Sequence, residues 1–399
     1  MLDRLLTPAR LSAYPKIVLI MFAAVLAGWT ALSLPDLIDP MDKPIGYDFI
    51  AFWSGARVAL EGAPASAYDI QSILAAHRQA VPSLDTFYLW HYPPTYMLAV
   101  LPLGLMPYLA ALVIFLGLTI AAWRLVVLRV VTDARGLWAA AALPAGLICV
   151  IHGQNGFLIA ALIGGALLFL DKRPLLAGAL IGCLAIKPHL AILFPIALAA
   201  SGRWRAFASA AVTLALLVVA ATLAFGVETW RAFFENLPAV RHYVDSGFLP
   251  WGMMPTPYVL ARSLSLSPDI AMALQIASAL AAGICVFLAW RGKDAPFEAR
   301  AAVFCAATLL ISPYLFYYDL TILGLSAAWL AMLGLKEGFL PYERPALLAA
   351  WAAPILMVPF YALAGLQLGV FVTLGALYFA MKRALAAPIS QSAPTLQSA

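Results

Sequence analysis

After Ile17 this chain becomes a series of strongly apolar runs, separated by short joints in which its Lys and Arg residues gather. Only helices and closed barrels satisfy their backbone polar groups inside a bilayer. Barrel strands would alternate in segments of roughly 10 residues, whereas these runs are continuously apolar, so the fold class is an all-α polytopic membrane protein. Composition agrees, because 64% of residues are hydrophobic and 11% charged, against about 25% charged in soluble domains. The net charge of +5 follows the positive-inside pattern and is no nucleic-acid footprint, so no nucleic-acid partner is expected.

Arg4, Arg10 and Lys16 precede the first run, Ile17 to Leu34, which reads as an uncleaved signal anchor with the N-terminus in the cytoplasm. A first outward segment, residues 36–92, is rich in Asp and poor in Lys and Arg. A second, 226–268, holds Trp230, Phe233, Phe234, His242, Tyr243 and Trp251. Counting the remaining runs gives about twelve spans with both termini inside. Among them are Ala206–Phe225, Ile270–Trp290, Ala301–Ile311, Leu320–Leu335, Leu347–Leu363 and Leu366–Met381. Residues 1–383 form one membrane domain, and 384–399, rich in Ala, Pro, Ser and Gln, read as a disordered cytoplasmic tail. Cys149, Cys183, Cys285 and Cys305 all lie in apolar runs, without metal-ligand spacing, and read as small buried hydrophobes. No cofactor and no metal site is expected, since the five His residues follow no ligand pattern either.

Polar groups are scarce enough in such a chain for their positions to be informative. Asp48 sits in Gly46-Tyr47-Asp48-Phe49-Ile50-Ala51-Phe52-Trp53, just beyond the first run. Phe49, Phe52, Trp53, Ala56 and Leu60 recur at helical spacing, which predicts an amphipathic helix on the membrane surface with Asp48 at its N-terminus. Farther on, two helical pairs turn at His152-Gly153-Gln154-Asn155-Gly156 and at Lys187-Pro188-His189. Their arms have about 12–15 apolar residues, fewer than the ~20 that cross a hydrocarbon core. Polar turns at that depth are tolerated where they line a cavity, so these turns predict a pocket opening outward with Lys187 near its floor.

Taken in order, Tyr47-Asp48-Phe49, Trp53, Gly55-Ala56-Arg57, Tyr68-Asp69, Tyr92-Pro93-Pro94, Gly153-Gln154-Asn155, Lys187-Pro188 and Ser312-Pro313-Tyr314 resemble the polyprenyl-phosphate-sugar glycosyltransferases of family 87. The resemblance runs from Asp48 to about Asp319. It implies the GT-C fold and an inverting hexosyltransferase, mannosyltransferase-like, facing the periplasm or cell exterior from a bacterial inner membrane. The donor implied is a polyprenyl-phosphate sugar, and the acceptor a lipid or glycan hydroxyl. The family's catalytic aspartate maps onto Asp48. The segment Tyr317-Tyr318-Asp319 departs from the family in having no histidine beside the aspartate.

Inverting transfer needs one carboxylate to take the acceptor proton, and a phosphate leaving group needs a cation. Asp48 is the candidate base. Lys187, with Arg57 and His189, is the candidate phosphate contact, and Trp53, His91, Tyr92, His152, Gln154, Asn155 and Asp319 are candidates for the substrate pocket. Each has a structural alternative: Asp48 as a helix N-cap, Lys187 snorkelling from a helix end, Gln154 and Asn155 satisfying their turn, Asp319 starting an interfacial helix. The rival function is a transporter or lipid flippase, for which related halves or mid-helix charges would be the signature; neither is evident here.

Overall fold

The structure, a computed structural model, describes residues 8–292 and 294–386. Arg4, Lys293 and residues 387–399 of the expected tail lie outside the described residues. Apart from one isolated bridge between Ile38 and Pro44, the described chain is helix, turn and loop. Among the described residues, seven helices are long and apolar enough to cross a membrane: Ser12–Ser33, Tyr108–Val130, Ala134–Ile151, Trp204–Phe225, Pro268–Arg291, Tyr317–Glu337 and Glu343–Ala364. Five shorter apolar helical stretches stand among them: Phe49–Leu60, Pro94–Leu105, Gly156–Phe169, Pro174–Ile186 and Pro188–Ala200. Proline opens many of these elements, at Pro94, Pro144, Pro174, Pro188, Pro257 and Pro268, where its fixed φ suits the first turn and its missing N–H removes no helical bond.

The short elements remain in place because protein, rather than lipid, surrounds them. Phe297–Thr308, found where a span over Ala301–Ile311 was expected, is buried at every residue from Ala301 to Thr308. Its alanines let Thr321–Glu337 and Leu368–Ala384 pack close on either side. Pro174–Gly182 lies along Trp204–Phe225 through Gly178 and Gly182, where an added Cβ would meet the Ala206 carbonyl at 2.4 Å and Thr213 Cβ at 2.5 Å. Small residues at such contacts are the usual means of close helix approach in membranes. At the end of the molecule away from Asp48, Arg383 Nε donates to Glu343 Oε1 at 2.6 Å, joining the last two helices through a buried ion pair.

The first outward segment differs from its expected form. Phe49–Leu60 is a helix, but it is buried from Phe49 through Ala56 instead of resting one face on the membrane surface. Phe52 is packed edge-on by Tyr92, Tyr96 and Phe115. On another face the Ser54 hydroxyl meets His77 Nδ1 at 2.7 Å. The later part of the segment, including the Ile70–Ala80 helix, thus covers the side that the sequence pattern left open. One continuous apolar core runs from Ile45 to Ala384. A small second cluster around Met254, Tyr258 and Val259 supports the second outward segment.

Candidate functional site

The loop carrying Asp48 is tightly specified. Asp39 Oδ1 accepts the N–H groups of Met41 and Lys43, and Asp39 Oδ2 accepts the Tyr47 hydroxyl at 2.5 Å. Tyr108 donates its hydroxyl to the Ile45 carbonyl. Gly46 and Tyr47 both have positive φ, 80° and 38°, an uncommon conformation for a tyrosine that these contacts hold in place. Asp48 then occupies the N-cap position of Phe49–Leu60, yet its side chain makes no capping hydrogen bond.

What the carboxylate does instead is meet the turn between Pro144–Ile151 and Gly156–Phe169. Gln154 Nε2 donates to Asp48 Oδ2 at 3.0 Å. The orientation of this amide is fixed, because Gln154 Oε1 accepts the Asn155 N–H at 3.0 Å and the Tyr92 hydroxyl at 3.3 Å. His152 Nδ1 lies 3.4 Å from the same Oδ2, off the line of a well-formed hydrogen bond. No protein partner takes Asp48 Oδ1 among the described residues. The turn reaches this position through two glycines. Gly153 has φ +55°, and a Cβ there would lie 2.5 Å from Phe49 Cβ and 2.8 Å from the Gly46 carbonyl; at Gly156 it would lie 2.5 Å from the Tyr318 carbonyl. The turn is therefore wedged between the Asp48 loop and the Tyr317–Leu320 turn.

That second turn carries Asp319. Its Oδ2 accepts the Phe316 N–H at 3.1 Å, which starts the helix, while its Oδ1 receives Lys187 Nζ at 2.6 Å. Asp319 thus starts a helix, as one alternative had it, but it does so fully buried and not at an interface. Lys187 is 7% exposed and points inward, against Asp319 and the Tyr318 ring, rather than snorkelling. Thr95 donates to the Ala185 carbonyl at 2.7 Å, fixing the Lys187 segment to the helix that follows Tyr92. His189 lies within electrostatic reach of Lys187 and His91, and its Nε2 is buried without a hydrogen-bond partner.

Of these groups Asp48 and His91 open towards solvent, at the mouth of a recess, while Gln154, Lys187 and Asp319 are buried behind them. The Asp48 side chain keeps 28% of its surface accessible, and His91 is exposed, although both are surrounded by protein. Loss of bulk water raises the Asp48 pKa, but the adjacent His152 ring and the Gln154 amide outweigh it and hold the carboxyl below its usual range. For His91, the same loss of water, reinforced by the Lys187 charge and opposed by Asp48, brings the imidazole down to about 4.

The structure brings together Asp48, His91, Tyr92, His152, Gln154, Lys187, His189 and Asp319. Asn155 is buried beside them, and its backbone N–H rather than its side chain serves Gln154. Arg57 and Trp53 lie elsewhere. Arg57 is nine residues beyond Asp48, about 13 Å along the helix, and bonds to Glu61, Gln79 and the Gly104 carbonyl. The Trp53 indole donates to the Met106 carbonyl at 2.9 Å. Tyr317, whose hydroxyl is 2.7 Å from His152 Nε2, is the residue that sequence reading missed. It lies within the Ser312–Asp319 stretch singled out above, but nothing in its spacing marks His152 as its partner. Among the described residues no three His, Cys, Asp or Glu side chains come together as a metal-holding group.

The sequence profile of glycosyltransferase family 87 matches residues 90–313, more than half of the chain. The protein belongs to glycosyltransferase family 87. Its many apolar helices make this a multi-pass membrane glycosyltransferase, acting on a sugar donor and an acceptor, and the transporter alternative falls away. No curated protein and no solved structure matches it. Of the recess residues in this family 87 member, His91, His152, Gln154, Lys187 and His189 lie inside the matched stretch, whereas Asp48 and Asp319 flank it.

Proposed function

We propose that this glycosyltransferase moves a hexose, with mannose the first choice, from a polyprenyl phosphate to a hydroxyl of a lipid or glycan acceptor. Transfer proceeds with inversion at the outer face of a bacterial inner membrane. The observation that carries the reading is the asymmetry of Asp48. Oδ2 is held by Gln154, while Oδ1 has no protein partner among the described residues and the side chain is accessible in the recess. A carboxylate oriented through one oxygen offers the other as a general base. The acceptor hydroxyl loses its proton to Oδ1 as its oxygen bonds to the anomeric carbon. On the opposite face the carbon–oxygen bond to phosphate breaks, and the electron pair leaves with the phosphate.

The leaving phosphate gains charge as that bond breaks and needs a cation fixed in advance. Lys187 fits the role, with the unpartnered His189 Nε2 as a further contact. Asp319 already neutralises Lys187, and the depressed His91 is neutral near pH 7, so this end of the recess carries little net positive charge. That balance favours a phosphodiester with a single negative charge over a diphosphate carrier. An apolar groove of about 660 Å³ supports a lipid-borne donor. It runs between Ile192, Leu193 and Ile196 on one side and Ile276, Leu280 and Ile284 on the other, with Ile311 and Pro313 at its border. One wall thus continues from the segment that carries Lys187, and the border residues Ile311 and Pro313 lead towards Asp319.

The test is transfer by purified protein from radiolabelled polyprenyl-phosphate mannose and its glucose counterpart, with host lipid extract as the acceptor pool. Asp48→Asn, folded as judged by thermal unfolding, should lose more than about 100-fold in rate. Equal product from both proteins would remove Asp48 as the base. No product from either donor would remove the polyprenyl-phosphate hexose as substrate.

A further inference from the structure

His152 is held more firmly than a residue that only borders a substrate needs to be. Its Nε2 is 2.7 Å from the Tyr317 hydroxyl. The Tyr47 ring meets it edge-on at 4.8 Å, and the Tyr317 and Tyr318 rings lie at 5.4 and 5.8 Å. The side chain is 11% exposed, enclosed mainly by these aromatic neighbours. Its remaining nitrogen, Nδ1, is buried, has no hydrogen-bond partner, and stands 3.4 Å from Asp48 Oδ2. An unsatisfied buried donor is costly, and hydrogen bonds of a catalytic site are often long without substrate and tighten when it binds.

The direction of the contacts fixes the tautomer. Asp48 is held ionised and can only accept, so the nitrogen turned towards it carries the proton. In the neutral ring Nε2 then accepts from the Tyr317 hydroxyl, 2.7 Å away. Gln154 donates to Oδ2 and His152 Nδ1 faces the same oxygen at 3.4 Å, so closing that contact gives Oδ2 a second donor and defines the plane of the carboxylate as well as its position. Oδ1 is left directed at the recess.

Resting on the reading of Asp48 as base, we infer that His152 is a positioning residue which, keyed by Tyr317, locks the Asp48 carboxylate with Oδ1 presented to the acceptor hydroxyl. His152 keeps its own proton throughout the reaction. As the acceptor hydroxyl approaches Oδ1, the 3.4 Å contact closes on Oδ2 and resists rotation of the carboxylate. His152 touches neither sugar nor phosphate, so its removal reduces turnover without weakening donor binding. The device spans three separate pieces of chain: the Asp48 loop, the 152–156 turn and the Tyr317–Leu320 turn. It therefore also couples the base to the segment that holds Lys187 through Asp319.

The experiment uses the full chain in detergent or nanodiscs, with polyprenyl-phosphate mannose as donor and lipid extract as acceptor, and compares His152→Ala, His152→Asn, Tyr317→Phe and His152→Ala/Tyr317→Phe. His152→Ala should lower kcat by about tenfold or more, the worth of one hydrogen bond to a charged group, and leave the donor KM within about twofold. An asparagine amide nitrogen falls near the Nδ1 position, so His152→Asn should recover most of kcat. Tyr317→Phe should lower kcat by itself and add nothing in the double variant. A folded His152→Ala protein with unchanged kcat, or a His152→Asn variant no better than alanine, overturns the inference while leaving Asp48 as base if Asp48→Asn is inactive. An Asp48→Asn variant as active as the wild type overturns both.

Discussion

Lys187 Nζ and Asp319 Oδ1 stand 2.6 Å apart across 132 residues of sequence, both side chains buried. The contact ties the turn after Pro174–Gly182 to the start of Thr321–Glu337, and so closes one end of the recess. Removing one partner of a buried pair leaves an uncompensated charge and costs about 3–5 kcal/mol. Lys187→Met and Asp319→Asn should each destabilise on that scale in thermal unfolding. The double variant, with neither charge, should recover most of the loss and remain inactive. Recovery of activity along with stability would show that Lys187 holds the fold and not the donor phosphate.

The approach of the 152–156 turn to Asp48 depends on Gly153. A methyl group there meets Phe49 Cβ and the Gly46 carbonyl at less than 3 Å, on a backbone already at positive φ. Gly153→Ala should therefore displace Gln154 from Asp48 Oδ2. We expect a destabilisation of about 1–3 kcal/mol from the strain and a fall in kcat well beyond that seen for Gly202→Ala, a glycine with positive φ and open space around it. Equal kcat in the two variants would separate the glycine from the geometry of the base.

The parts of this design that sequence revealed are those fixed by the solvent. Apolar runs had to be helices in lipid, and arms too short to span, with polar turns, marked Gln154, Lys187 and His189 as polar groups set deep among apolar helices, where the structure buries the first two. The placement of Asp48 was legible for the same reason, as a carboxylate in an aromatic stretch of a chain with few charges. Which face of a helix a residue occupies was not. Arg57 follows Asp48 closely in sequence but ends beside Glu61 and Gln79, and Trp53 turns towards Met106. The surface-helix expectation erred because periodicity reports one apolar face, whereas here the Ile70–Ala80 helix covers the other through the His77–Ser54 contact. Tyr317 remained hidden because 165 residues separate it from His152.

Burial also gives the outward segment a pH sensitivity. His77 is fully buried; its Nδ1 is 2.7 Å from the Ser54 hydroxyl and its Nε2 is 3.1 Å from both the carbonyl and the N–H of Tyr88. Loss of water brings its imidazole down to about 4 from an ordinary 6.5. Below pH 6.5 the unfolded chain takes up the proton and the folded chain does not, so stability falls as pH drops from about 6.5 towards 4, by about 3 kcal/mol at most. His91, also near 4, acts over the same range. Thermal unfolding of the wild type between pH 7 and 4.5 should show a steady loss. His77→Gln should be less stable at pH 7 but flatter across the range, and an unchanged slope would assign the sensitivity to other groups.

The apolar groove makes a prediction about the lipid rather than the sugar. Gly283 lines it from the Pro268–Arg291 helix, and a Cβ there would already lie 3.4 Å from Ile196 Cδ1 on the opposite wall. Gly283→Phe should fill the groove while leaving the recess around Asp48 and Lys187 unchanged. If a polyprenyl chain occupies it, the phenyl ring displaces that chain into the surrounding lipid and removes its packing contacts with the groove. The KM for a full-length polyprenyl-phosphate sugar should then rise with kcat preserved. A donor with a single isoprene unit, too short to enter the groove, should show the same KM with either protein. Equal KM values for the long donor would mean that its chain lies elsewhere in the membrane. An equal rise for long and short donors would instead mean that the substitution reaches the phosphate end through Leu193 and Lys187.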